Sequence, residues 1–390
     1  MRKIRAHYIF DGFRLRKNAQ LVVSDDGVVQ DIYSLSEPIE EESGVEFYAG
    51  IISPGFVNAH CHLELSHLHG HIPQKTGLPE FVSSVARLKK EIPFSEDACK
   101  QADELMWNNG IVAIGDISNF SDTFEFKKHS SIQYHTFIEL FDLHEDSRSE
   151  YERGKKLFKV YPERKHVSLS PHAPYSSSRK LCAKIEAHAI DYEYPVTIHN
   201  QEHESENEMF SKHSGQLFEV FQKHRTEAIL HTKYLSSLRF SAGAFEQVRH
   251  ILFVHNVYMS EQDIRFLIEE RGIKNFTCVV CPCSNLYIHD ELPPLPLFMK
   301  YSVPWAIGTD SLASNTDVSM IQEMLSLQQA FPELSLEQLL HAATYRGAYA
   351  LNLQNRFGQF AQGKKPGVIL LEHVDLQNMQ LTPETKVRML

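Results

Sequence analysis

The stretch Ile51-Ile52-Ser53-Pro54-Gly55-Phe56-Val57-Asn58-Ala59-His60-Cys61-His62 decides how the rest of this chain is read. Residues 51–60 make an apolar, β-rich run that ends in polar, metal-binding residue types. Side chains two apart on an extended segment share a face. Both imidazoles, His60 and His62, can therefore reach one ion. A His-x-His pair alone is a weak sign; its place at a strand end gives it weight. Seven further runs of this kind follow, at 111–117, 132–141, 166–172, 195–199, 251–255, 276–280 and 304–308. Amphipathic stretches at 78–90, 179–189, 215–224 and 261–270 lie between them, and 336–351 follows the last. Strands alternating with helices predict a parallel sheet. Eight such strands are the count of an α/β (β/α)8 TIM barrel.

The barrel is expected over residues 53–353 as the catalytic domain. The first 50 residues read as short strands at 4–10, 19–23 and 28–34, and the tail as another at 367–372. Chain ends often lie close together. Residues 1–52 with 354–390 are thus expected to pair into a small β-sandwich domain.

Composition excludes several functions. The 390 residues carry 39 Lys+Arg against 50 Asp+Glu, a net charge of −11. That balance argues against a protein held by nucleic-acid phosphates. No apolar run approaches the ~18 residues of a membrane span, and no apolar core follows the basic N-terminus as in a secretory signal. Six cysteines are sparse, which predicts reduced thiols and a cytoplasmic location. Cys278, Cys281 and Cys283 lack an evident fourth ligand and read as buried thiols rather than a structural zinc site. Histidine, at 22, outnumbers glycine, at 18; position matters more than the count.

Six of the eight runs end in His or Asp: His60-Cys61-His62, Asp116, His172, His199 with Glu202, His255, and Asp310-Ser311. Barrel enzymes draw their catalytic groups from that end of several strands. His60, His62, His199 and Asp310 would give three nitrogens and one oxygen. That set suits one divalent metal ion, Zn²⁺ with Fe²⁺ as runner-up, and leaves room for water. A hydrolytic step then needs a base for the water and an acid for the atom that gains electron density. Glu202 is the candidate acid; His255 and Asp310 are the candidates for handling the water.

Pro54 to Glu64 resembles the first-strand signature of the amidohydrolase superfamily. Ile198-His199-Asn200-Gln201-Glu202 resembles its His-x-x-Glu motif, and Val254-His255-Asn256 its sixth-strand histidine. Cys281-Pro282-Cys283-Ser284-Asn285, Gly308-Thr309-Asp310-Ser311, His341-Ala342-Ala343-Thr344 and Gly363-Lys364-Lys365 resemble further motifs, all in the family's order. The likeness is closest to the mononuclear branch of deaminases and chlorohydrolases. It implies that Glu202 protonates a ring nitrogen while His255 with Asp310 activates the water, with loss of ammonia. His62-Leu63-Glu64-Leu65-Ser66, with Ser170-Pro171-His172-Ala173-Pro174-Tyr175-Ser176, is similar to the aminodeoxyfutalosine deaminases of menaquinone biosynthesis. That implies a purine nucleoside substrate, 6-amino-6-deoxyfutalosine, contacted by Glu64, His172, Glu202 and Ser311. The aromatic carboxylate of that substrate calls for a cation, with Lys75, Arg87, Arg179 and Lys212 as candidates. Asn200-Gln201 and His203 depart from the usual residues beside the site and leave other substrates open. These are methylthioadenosine, adenosylhomocysteine or guanine for a deaminase, and an s-triazine for a chlorohydrolase. A non-catalytic metal-binding scaffold is the reading from another class. A homodimer stands open beside a monomer.

Overall fold

The computed structural model describes residues 1–37, 42–142, 146–221 and 234–390. The eight runs become eight strands: β1 (Phe56–Cys61), β2 (Ile111–Ser118), β3 (Gln133–Leu140), β4 (Val167–Pro171), β5 (Val196–Asn200), β6 (Ile251–His255), β7 (Phe276–Val280) and β8 (Trp305–Ile307). β1 to β4 form one four-stranded parallel sheet in chain order, and β5 to β8 form a second. Nearly every strand residue is buried, which is why the runs are continuously apolar rather than alternating. The sheet edges are tied to each other. His199 N–H donates to the His172 carbonyl at 3.0 Å, across β4 and β5. The amides of Thr309 and Asp310 donate to the His60 carbonyl at 3.1 and 3.0 Å, from the end of β8 to β1.

The helices follow the expected stretches closely, as Leu78–Glu91, Arg179–Tyr192 and Glu261–Arg271. In the second, Leu181, Cys182, Ile185, His188 and Ala189 are buried at helical spacing, and the Ser178 side chain caps its start. The stretch at 215–224 is helical over Gln216–Phe221; its end lies outside the described residues.

The first run, at 51–60, is divided. Val45–Pro54 belongs to another sheet, and Phe56–Cys61 is β1. Gly55 stands at the break, where a Cβ would lie 2.4 Å from Val112 Cγ1. The chain ends meet in one seven-stranded sheet rather than in the two facing sheets of a sandwich. Val45–Pro54 sits inside it, parallel to Arg2–Phe10 on one side and antiparallel to Val368–Glu372 on the other. The strand thus runs through the expected division at 52/53. Ile4, Ile9, Leu21, Val23, Ile52 and Leu370 pack on one of its faces. No described helix is long and apolar enough to cross a membrane.

Candidate active site

The strand ends converge as the parallel topology requires. His62 Nε2 lies 3.2 Å from His60 Nε2 and 3.2 Å from His199 Nε2. Asp310 Oδ1 lies 3.6 Å from His60 Nε2 and 3.5 Å from His62 Nε2. A tetrahedron with metal–nitrogen bonds near 2.0–2.1 Å has edges of about 3.3 Å; His60, His62 and Asp310 come together at that spacing as one group able to hold a divalent ion, with His199 beside His62. Two of them, His199 and Asp310, are held from behind. His199 Nδ1–H donates to the His172 carbonyl at 2.8 Å, which turns Nε2 toward the set. The hydroxyls of Ser284 and Ser314 donate to Asp310 Oδ2 at 2.6 and 2.7 Å, leaving Oδ1 to the histidines.

Local backbone helps place these groups. Gln201, His255, Asn256 and Asp310 all take left-handed φ values, at 47°, 73°, 58° and 55°. Such conformations are costly for non-glycine residues and tend to gather at functional sites. Gly308 lies against His60, and a Cβ there would be 2.8 Å from His60 Cβ. One residue after His62, the Leu63 amide donates to Asp116 Oδ1 at 2.8 Å, and buried Lys127 pairs with the same carboxylate.

Beside the donor set, Glu202 Oε2 lies 3.6 Å from His255 Nε2. Asn285 Nδ2–H donates to His255 Nδ1 at 3.1 Å. Burial, together with the negative charges of Asp310 and Glu206, pushes the Glu202 carboxyl well above the usual carboxylate range. Burial lowers His255 well below an ordinary imidazole, and lowers His62 to about 3. Burial also opposes ionisation of Asp310, but the His60 hydrogen bond and the His62 ring hold it well below its usual value. The site therefore sets a carboxyl shifted upward beside one shifted downward, the separation that acid–base work needs.

These groups open into a cavity of about 500 Å³ lined by His62, His172, His199, Glu202, His255, Asp310 and Ser311. Its outer wall is apolar, with Leu65, Leu78, Phe81, Val82, Phe120 and Phe141. His172 Nδ1 meets the Ser176 hydroxyl at 2.6 Å. Glu64 is the exception among the expected contacts. It lies behind the cavity wall, with Oε1 held by Lys89 at 3.2 Å and Oε2 by the Asn119 amide at 2.9 Å. Each oxygen thus carries one hydrogen bond from the protein. None of the four expected cations lines the cavity; Lys89 and Lys90 do. Lys75, Arg87 and Lys212 pair with Asp290, Glu91 and Glu208 instead, and Arg179 donates to the Phe240 carbonyl. Of the aromatics between 118 and 144, Phe120 and Phe141 face the cavity, while Phe124, Tyr134 and Phe137 are core. Cys278 and Cys281 are buried, Cys283 partly so, and all six cysteines are free.

Sequence reading missed Glu139, near the end of β3. It lines the cavity, and although burial opposes ionisation, the nearby His172, His199 and His62 rings hold it down to about 2.

The chain belongs to the amidohydrolase family, which it matches over residues 51–387. Members of that family generally bind a divalent metal. An aminodeoxyfutalosine deaminase of Nitratiruptor sp. is 27% identical over 332 residues, 83% of this chain and 79% of the relative. A 5'-deoxyadenosine deaminase of Methanococcus maripaludis is 25% identical over 379 residues, 91% of this chain and 82% of that one. Among solved structures, Helicobacter pylori aminofutalosine deaminase in complex with methylthio-coformycin superposes with a TM-score of 0.82. It is 21% identical, and the match covers 95% of this chain and 92% of that one. The family and its deaminase relatives support a hydrolytic deaminase acting on C–N bonds.

Proposed function

We propose that the chain converts 6-amino-6-deoxyfutalosine to futalosine and ammonia, a step of menaquinone biosynthesis, in the cytoplasm. Its eight strands close into the (β/α)8 barrel, over residues 53–353, and the chain ends form its companion β domain. The observation that carries the reading is the cluster of His60, His62, His199 and Asp310 beside Glu202 and His255 at one cavity. His60, His62, His199 and Asp310 hold one ion, Zn²⁺ with Fe²⁺ second. When bound, that ion supplies the Lewis acidity that makes water nucleophilic near neutral pH.

This chain's own residues do the rest. Glu202 donates its proton to N1 of the purine as water attacks C6. His255 and Asp310 accept the water's proton. As the C6–N bond breaks, that proton goes to the amine, which leaves as ammonia, and the proton of the C6 hydroxyl returns to Glu202 to leave the C6 carbonyl. His172 and Ser311 border the bound nucleoside. The apolar outer wall with Lys89 and Lys90 suits an aromatic arm that ends in a carboxylate.

The test is a substrate panel read by ammonia release and purine absorbance: aminodeoxyfutalosine, 5'-deoxyadenosine, methylthioadenosine, adenosylhomocysteine, adenosine and guanine. We expect the highest kcat/KM on the first. Turnover confined to another member would overturn the substrate and leave the reaction class standing.

A further inference from the structure

Glu139 has no part in the steps above, yet its surroundings are unusual. It is 5% exposed. Its Oε2 accepts from Asn119 Nδ2 at 2.8 Å. Its Oε1 is buried and has no hydrogen-bond partner. No lysine or arginine among the described residues pairs with it. Lys89 goes to Glu64 and Asn119, and Arg153 goes to Glu150 and to the backbone oxygens of Asn119 and Glu139. An unpaired buried anion is expensive to keep, so a positive charge is missing from its surroundings.

The geometry shows where that charge belongs. Glu139 Oε1 lies 3.7 Å from Nδ1 of His199, and the other ring nitrogen of His199 faces the donor set. Three neutral imidazoles and one carboxylate leave a bound dication with one positive charge uncompensated. Glu139 stands directly behind one of those imidazoles. We propose that Glu139 is a positioning residue of the metal centre: it balances the ion's remaining charge through His199 and strengthens that ring as a ligand. The His172 carbonyl, at 2.8 Å, fixes the tautomer; Glu139 supplies the field. The inference rests on the one-ion reading above.

The test is metal binding, which needs no substrate. Zn²⁺ affinity is measured by competition with a chromogenic chelator, and Co²⁺-loaded protein gives a visible ligand-field spectrum. Glu139→Gln should weaken Zn²⁺ binding by about 10–100-fold and shift the Co²⁺ bands, and Glu139→Asp should recover part of both. Thermal unfolding of the metal-free proteins checks folding, and the Gln variant should not melt earlier than wild type, since it removes an uncompensated charge. Wild-type Zn²⁺ affinity and an unchanged Co²⁺ spectrum in Glu139→Gln would overturn the proposal even if turnover fell. So would a second equivalent of metal that only this variant loses, because Glu139 would then be a ligand itself. His62→Ala separates the two levels. Loss of binding there without loss in Glu139→Gln removes the role of Glu139 alone, whereas unchanged binding in His62→Ala removes the metal site as well.

Discussion

Replacing Glu202 by Gln tests the acid directly. The substitution keeps the side chain's length and planarity and puts an N–H where the acid carries its O–H. What it removes is the transferable proton. Burial and the charges of Asp310 and Glu206 raise the carboxyl of Glu202 well above the usual carboxylate range, which favours its proton-carrying form. A positioned general acid contributes about 10²–10⁴-fold, roughly 2.7–5.4 kcal/mol at 1.36 kcal/mol per decade. We expect kcat to fall by that amount, with KM within a few-fold of wild type. The pH profile gives a second check. Wild-type kcat/KM should decline on the alkaline side as Glu202 loses its proton, and the variant should lack that limb. Stability moves with a definite sign. A carboxyl whose folded pKa is raised contributes fully below its unfolded value, near ~4.3; the contribution is lost as pH rises through the folded value. Gln does not titrate, so the metal-free variant should match wild type in acid and be the more stable of the two in alkali. Steady-state ammonia release from pH 5 to pH 10, with thermal unfolding over the same range, reads all three effects. Wild-type turnover in the variant, or an intact alkaline limb, would refute the reasoning.

Three further outcomes are expected. Gly308→Ala drives a methyl to 2.8 Å from His60 Cβ; we expect about 1–3 kcal/mol of destabilisation and weaker metal binding, read by denaturant unfolding and chelator competition. Lys127→Met leaves Asp116 buried without its partner and should cost about 3–5 kcal/mol, measured by the same unfolding transition. Dialysis against a strong chelator should abolish deamination, and Zn²⁺ should restore it; activity that survives complete metal removal would count against the donor set.

Much of the fold was legible because parallel strands buried on both faces show as plain apolar runs. The donor residues were legible because they close those runs: His60, His62, His199 and Asp310 each follow an apolar stretch. Glu139 escaped for the opposite reason. It lies inside the run at 132–141, followed by Leu140 and Phe141, so no polar residue marks the strand's end. Glu64 stands outside the cavity lining. It stands two residues past His62, but the chain enters a tight helical turn over Leu63–Leu68, which carries the carboxylate behind the wall to Lys89. Lys89 itself is one charge among several on the amphipathic helix Leu78–Glu91, and nothing in the spacing says which of them turns inward. The break at Gly55 was hidden because apolar residues flank it on both sides. Only the closeness of Val112 requires glycine there.

The position of Val45–Pro54 has a consequence for the order in which the protein is made. This strand leads directly into the segment that carries His60 and His62, and one of its two neighbours, Val368–Glu372, is encoded roughly 300 residues later. At about 5–20 residues per second, one edge of the strand stays open for on the order of 15–60 s while the ribosome completes the chain. During that interval its backbone donors and acceptors can template pairing with another nascent chain. A ribosome stalled before residue 368 should therefore display a sticky, partly folded product, and the sheet edge that leads to His60 and His62 is sealed only by the last strands to emerge.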